Sequence, residues 1–210
     1  MSPIFDYLFG QYSTYDTLDI VLEIIAVFFG LLSVWFSKKN NIWVYPTGLI
    51  STSIFVYLLL KWGLLGDMLI NVYYFLMSLY GWYIWTRKID ETRVTPITTV
   101  TKREHSISIL IFLATIVFVY VVYQVFDKWN SWTAYVDTVT TAIFFVGMWL
   151  MAKRKVENWI YWIIGDIISV PLYFYKGFTF TSFQYLIFTI LAIYGYRAWK
   201  KNINSSHPIS

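Results

Sequence analysis

The chain has 210 residues, of which 58% are hydrophobic, 22% aromatic and 13% charged, with a net charge of +4 and no Cys. Soluble domains carry about 25% charged residues, so this composition excludes a soluble globular protein, a disordered chain and a coiled coil. It reads as an all-α, polytopic membrane protein without disulfides, thiolate metal sites or a Cys nucleophile.

The first ten residues carry Asp6 as their only charge and no basic region, so no cleavable signal peptide is expected. Residues 1–18 are read as a segment outside the membrane. A helix needs about 20 residues to cross the hydrocarbon layer. Seven such spans are expected, over residues 19–37, 42–60, 67–86, 107–126, 136–152, 157–175 and 180–199. A cytoplasmic tail, 200–210, follows.

Seven spans put the chain ends on opposite sides, and the basic residues then sort. Thirteen of the sixteen Lys and Arg fall on one side, in Lys38–Lys39, in the 87–103 loop, in Lys153–Lys155 and around Arg197–Lys201. Lys61, Lys128 and Lys176 fall on the other. This bias places the N-terminus outside and the C-terminus in the cytoplasm, and it accounts for the positive charge without nucleic acid. Trp35, Trp43, Trp82, Trp85, Trp159 and Trp199 at inner ends, and Trp62, Trp129 and Trp132 at outer ends, read as interfacial anchors.

The chain also repeats. An offset of 117 pairs Phe28 with Phe145, Gly30 with Gly147, Lys38 with Lys155, Asn41 with Asn158 and Gly48 with Gly165. After a three-residue gap, an offset of 114 pairs Gly63 with Gly177, Tyr80-Gly81 with Tyr194-Gly195 and Trp85 with Trp199. Spans 1–3 (19–86) thus match spans 5–7 (136–199). Two three-helix units of the same orientation require one extra helix between them, so 87–126 is read as a cytoplasmic loop and linker helix facing lipid. Parallel repeats of this kind are a transporter architecture, with the solute site between the repeats.

Polar residues within the spans mark candidate contacts. Asp166 lies midway along span 6 without Lys or Arg in the same helix, and a charge there is costly. It reads equally as a solute or ion contact and as a structural carboxyl. Asn71 and Tyr74 share a face of span 3. Gln184 and Tyr185 sit at comparable depth in span 7, and Asn158 and Trp162 share a face of span 6. Singly, such residues read as polar glue between helices; as a set spread over both repeats, they read as a polar cavity. Asp67 and Asp137 read as helix caps, and Pro46 and Pro171 as kinks. Aromatic faces, amides and one central carboxylate suit a small, flat, polar solute with cationic character. The two His have no partners at metal-ligand spacing, and no metal or cofactor is expected.

The stretches Tyr45-Pro46-Thr47-Gly48-Leu49-Ile50-Ser51-Thr52, Gly66-Asp67-Met68-Leu69-Ile70-Asn71-Val72-Tyr73-Tyr74 and Tyr80-Gly81-Trp82-Tyr83-Ile84-Trp85 resemble the PnuC family of nicotinamide riboside transporters. So do Val156-Glu157-Asn158-Trp159-Ile160-Tyr161-Trp162 and Ser182-Phe183-Gln184-Tyr185-Leu186-Ile187-Phe188-Thr189, and the likeness covers most of residues 19–201. The resemblance implies a 3+1+3 arrangement like that of SWEET sugar transporters. It further implies facilitated uptake of nicotinamide riboside across the cytoplasmic membrane, trapping by a cytoplasmic kinase and a role in NAD biosynthesis. Asn71 and Tyr74 look like the family's Asn-x-x-Tyr contact motif, and Asn158, Trp162 and Gln184 carry over beside them. Asp166 has no match in the family's pattern. Related members carry thiamine or riboflavin, which are the alternative solutes, and a homo-oligomer is left open.

Other classes find less support. No catalytic constellation or Walker motif is present, so neither an intramembrane enzyme nor an ATP-driven pump is expected. A seven-helix receptor or sensor would share the topology but not the repeat.

Overall fold

A computed structural model describes residues 16–87, 95–127, 129, 131–175 and 179–206. The segment 1–15, Lys88, Arg93, Lys128, Lys176, Gly177 and the tail from His207 on, all of which figure in the expectations above, lie outside the described residues.

Among the described residues there are seven long helices: α1 (Thr17–Lys38), α2 (Val44–Lys61), α3 (Leu65–Thr86), α4 (Lys102–Val125), α5 (Thr133–Ala152), α6 (Asn158–Tyr175) and α7 (Thr179–Ser206). Each coincides with an expected span. The largest differences have local causes or lie at a free end. The start of α4 is set five residues early by a capping box, in which the Thr101 hydroxyl accepts from the Glu104 amide and the Glu104 carboxylate accepts from the Thr101 amide at 2.9 Å. Helix α7 runs on to Ser206.

Four helices, α1, α2, α4 and α5, are long and apolar enough to cross a bilayer by length and composition. Helices α3, α6 and α7 are richer in Tyr and Trp. Those three carry every residue singled out above as a candidate contact.

Helices α1, α2 and α3 pack in order, and so do α5, α6 and α7. The two triplets meet through α3 against α5 and α1 against α7. A two-fold operation that exchanges the triplets exchanges these two seams as well. Helix α4 lies on α5, with little contact to α3. It turns Ser108, Thr115, Val119 and Val122 inward and leaves Leu110, Leu113 and Val117 exposed.

Structural correspondence between the triplets runs at a single offset of 114, which corrects the 117 expected for the first half. Asn40 and Arg154 both adopt positive φ, at 53° and 56°, just past the ends of α1 and α5. The amides of Asn41 and Lys155 then donate to Phe36 and Leu150, both at 2.9 Å. Three helix contacts repeat too. A Cβ on Gly81 would meet the Tyr45 ring at 2.4 Å, and one on Gly195 would meet Trp159 at 2.6 Å. Gly30 faces Ser51, where the second triplet has Phe144 over Gly165; Gly48 faces Ser33, where it has Trp162 against Gly147. Side-chain sizes are exchanged across the last two contacts, so matching identities led to the wrong register.

The end where the basic residues collect is closed by an aromatic core of Tyr45, Trp85, Trp159 and Trp199, with Met148, Met151 and Val156. Trp85, Trp159 and Trp199 are therefore core residues and not interfacial anchors. Trp35, Trp43, Trp82 and Trp132 are exposed, as anchors are. Beside this core, residues 95–101 form a strap over the α5–α6 turn. Thr98 and Lys155 make a parallel bridge, with Thr98 N to Arg154 O at 3.1 Å and Val156 N to Thr98 O at 3.0 Å. Two buried cations fasten it. Arg154 donates to the Thr95 carbonyl and lies 4.2 Å over the Trp85 ring, and Lys155 pairs with Glu104 at 2.9 Å and donates to Thr98 Oγ1.

Three smaller expectations are corrected. Pro46 lies in the first turn of α2, where its missing N–H has no partner to lose, so it makes no kink. Pro171 is inside α6. The N-caps of α3 and α5 are Leu64 and Trp132, so neither Asp67 nor Asp137 is a cap.

Candidate binding site

Helix α6 supplies one wall. Trp162, Asp166, Ser169 and Tyr173 follow at spacings of four, three and four, which places them along one face of the helix. Asp166 is eight residues into α6, about 12 Å from its start at 1.5 Å per residue. It is 2% exposed, and among the described residues no hydrogen bond or ion pair reaches it. The Ser169 hydroxyl, one turn further, is fully buried and also unpaired.

The facing helices add rings. Phe144 of α5 rests on the bare backbone of Gly165, where a Cβ would come within 2.3 Å of it. From there it stacks on Trp162 at 5.5 Å and on Tyr185 of α7 at 6.0 Å. Tyr74 of α3 lies 6.5 Å from Trp162 and 5.9 Å from Phe145. Tyr73 stacks flat on Phe145 at 3.7 Å and donates to the Phe145 carbonyl at 2.9 Å, which fixes the seam between α3 and α5. Tyr173 and Tyr185 are 5.1 Å apart and share a side-chain hydrogen bond. The Tyr74 and Tyr185 hydroxyls are within electrostatic range of Asp166. Asp67 and Asp137, near the N-terminal ends of α3 and α5, are within range of Tyr173 and Tyr185.

Of the residues singled out from sequence, the structure brings Tyr74, Trp162, Asp166 and Tyr185 together. Asn71 is one turn from Tyr74 on α3, half-buried, with its amide nitrogen donating to the Asp67 carbonyl at 3.0 Å. Gln184 is half-buried beside Tyr185 in α7. Asn158 is elsewhere. It is fully buried at the first position of α6, donates to the Lys155 carbonyl at 2.5 Å and shapes the α5–α6 turn. Sequence reasoning missed Tyr73, Phe144, Phe145 and Tyr173. The spacing of Tyr173 behind Trp162 and Asp166 was the available signal; Phe144 and Phe145 sit in an apolar run that offers none.

The arrangement gathers aromatic rings of α3, α5, α6 and α7 near one buried carboxyl, side chains whose faces suit an aromatic solute. Among the described residues no group of His, Asp or Glu could hold a metal ion.

Comparison with known proteins gives the family. The chain matches the family model described as nicotinamide mononucleotide transporter over residues 20–201. It is 26% identical to the nicotinamide riboside transporter PnuC of Escherichia coli (strain K12), over 88% of this chain and 86% of that protein. It is 25% identical to the riboflavin/roseoflavin transporter RibM of Streptomyces davaonensis, over 93% of this chain and 92% of that protein. The solved crystal structure of the vitamin B3 transporter PnuC superimposes with a TM-score of 0.66 at 26% identity, over 91% of this chain and 85% of that one.

Proposed function

The chain belongs to this family of membrane transporters, and we propose that its solute is nicotinamide riboside, carried across the cytoplasmic membrane by facilitated diffusion. Two relatives set the choice: PnuC proteins named for the riboside and a RibM protein named for riboflavin. The observation that favours the riboside over its mononucleotide is the group of rings around Asp166. Asp166 is the carboxyl among those rings, and no Lys or Arg reaches it among the described residues. A phosphate placed there would meet a carboxylate with no counter-ion. A riboside lacks the phosphate, and its flat ring suits the faces of Trp162, Phe144 and Tyr185.

The solute binds near mid-membrane, between the triplets. Tyr74, Trp162, Asp166 and Tyr185 line the site, and Asn71 and Gln184 contact the ribose or carboxamide. The seven helices all span the membrane in a 3+1+3 arrangement like that of SWEET transporters. The single offset of 114 and the exchange of seams between α3·α5 and α1·α7 support it. The N-terminus is outside and the basic end is cytoplasmic, where a kinase would trap the riboside. The aromatic core at that end is a barrier between the site and the cytoplasm.

The test is a binding titration of the purified protein with nicotinamide riboside, nicotinamide mononucleotide, thiamine and riboflavin side by side. Tightest binding of the riboside is expected, with the mononucleotide weaker. Tightest binding of riboflavin would replace this reading with a flavin transporter.

A further inference from the structure

We propose that Asp166 reads the charge of the solute: it is the counter-ion for a cationic aromatic ring and selects the pyridinium form over an uncharged ring of the same shape. This rests on the proposed solute site and adds the property by which that site discriminates.

The argument starts from what Asp166 lacks. Burying a carboxylate without a partner is expensive, so a buried carboxyl is held neutral or paired with a positive charge. Helix caps, salt bridges and backbone amides are the usual partners, and none reaches Asp166 among the described residues. Two other carboxylates among the described residues are paired with Lys. Asp19, equally buried at 2% exposure, pairs with Lys61 at 2.8 Å. Glu104 pairs with Lys155 and the Thr101 amide. Its equivalent in the first triplet, Thr52, satisfies itself by donating back to its own helix at Gly48 O.

The surroundings supply the other half. Trp162 is one turn before Asp166 on the same face of α6, and Tyr74 and Tyr185 approach from α3 and α7. Electron-rich ring faces attract a cation, and do so more strongly where water is excluded. Rings and carboxyl therefore favour the same ligand, a flat ring that bears a positive charge. A neutral ring of equal size gains the stacking and leaves Asp166 as it was.

The experiment compares nicotinamide riboside, whose ring is a cation, with its dihydro form, which has the same ribose and carboxamide on an uncharged ring. Affinities of both are measured for the purified wild-type protein and for Asp166→Asn, with thermal unfolding as a check on folding. Wild type is expected to prefer the cation. Asp166→Asn is expected to lose roughly ten- to a hundredfold in affinity for the cation, the range for a contact to a charged group, and little for the dihydro form. Equal losses for both would overturn the inference and leave the solute reading standing. So would a wild-type protein without preference, even if the variant does not fold. Failure of wild type to bind either form would overturn the solute reading and this inference with it.

Discussion

Trp85 and Trp199, 114 residues apart, make the same reach in opposite directions. The Trp85 indole N–H donates to the Met151 carbonyl at the end of α5 at 3.3 Å, and that of Trp199 donates to the Ser37 carbonyl at the end of α1 at 2.9 Å. The two rings are 5.8 Å apart, and Ser37 touches Met151 at 3.3 Å. In each pair the two residues are 114 apart, the offset at which the two triplets correspond. Each indole also pins its own triplet to the other. Trp85→Phe and Trp199→Phe should each cost about 0.5–1.5 kcal/mol, the net worth of one hydrogen bond, since the Met151 and Ser37 carbonyls keep their bonds from the Arg154 and Asn40 amides. Trp43→Phe, on the exposed surface, should change little. Chemical or thermal unfolding in detergent measures this. Equal, negligible losses in all three would remove the two indoles from the seam.

Gly165 is the second point where packing and site meet. Alanine there would push Phe144 off the α6 backbone, and overpacking of this kind costs about 1–3 kcal/mol. Because Phe144 stacks on both Trp162 and Tyr185, solute affinity should fall along with stability. Gly48→Ala, whose Cβ would meet the Ser33 hydroxyl at 3.1 Å, occupies the equivalent face in the first triplet. It should leave affinity nearly unchanged, whatever its effect on stability. Paired unfolding and binding measurements separate the two; equal effects on affinity would place the solute away from Phe144.

How much of this was legible beforehand follows from what each feature costs in hydrophobicity. The helices were readable because a spanning segment must be apolar for its whole length. Asp166 and the Trp162 face were readable because a polar group in such a segment stands out. Phe144 and Phe145 were not, since an aromatic facing lipid and one facing other rings look alike in an apolar run. Asn158 stood out as polar, but its chemistry is local, closing the turn to Lys155. The repeat register was hidden for another reason. Gly30 over Ser51 and Phe144 over Gly165 fill the same gap with opposite sizes, so no identity survives to mark the match.

The strap gives a pH dependence outside the membrane. Burial works against the Glu104 carboxylate, but the Thr101 amide, the Lys155 ammonium and the Thr101 hydroxyl outweigh it and hold its pKa below the ordinary 4.5. A depressed carboxylate pKa stabilises the fold above the ordinary value, and that stability is lost as pH falls through the folded value. Wild type should therefore lose more stability than Glu104→Gln as pH drops through and below 4.5. Unfolding midpoints across that range, for both proteins, provide the check. Parallel curves would mean that Glu104 does not fasten the strap.

Orientation is testable with single Cys residues, because the chain has none of its own. Thr99, exposed on the strap, is expected on the cytoplasmic side, and Ser131, exposed before α5, on the outside. Thr98 is a poorer reporter, since Lys155 occupies its hydroxyl. In intact cells Ser131→Cys should react with an impermeant maleimide and Thr99→Cys should not. The reverse pattern would invert the topology.

Transport itself is the most direct test of the central claim. Purified protein in liposomes, with membrane potential clamped at zero, is given labelled nicotinamide riboside outside. Among the described residues no relay of acids crosses the spans as proton coupling would require, so the label should enter until inside and outside concentrations are equal, and a proton or sodium gradient should drive it no further. Accumulation above equality under either gradient, or no entry beyond that of protein-free liposomes, would contradict the account.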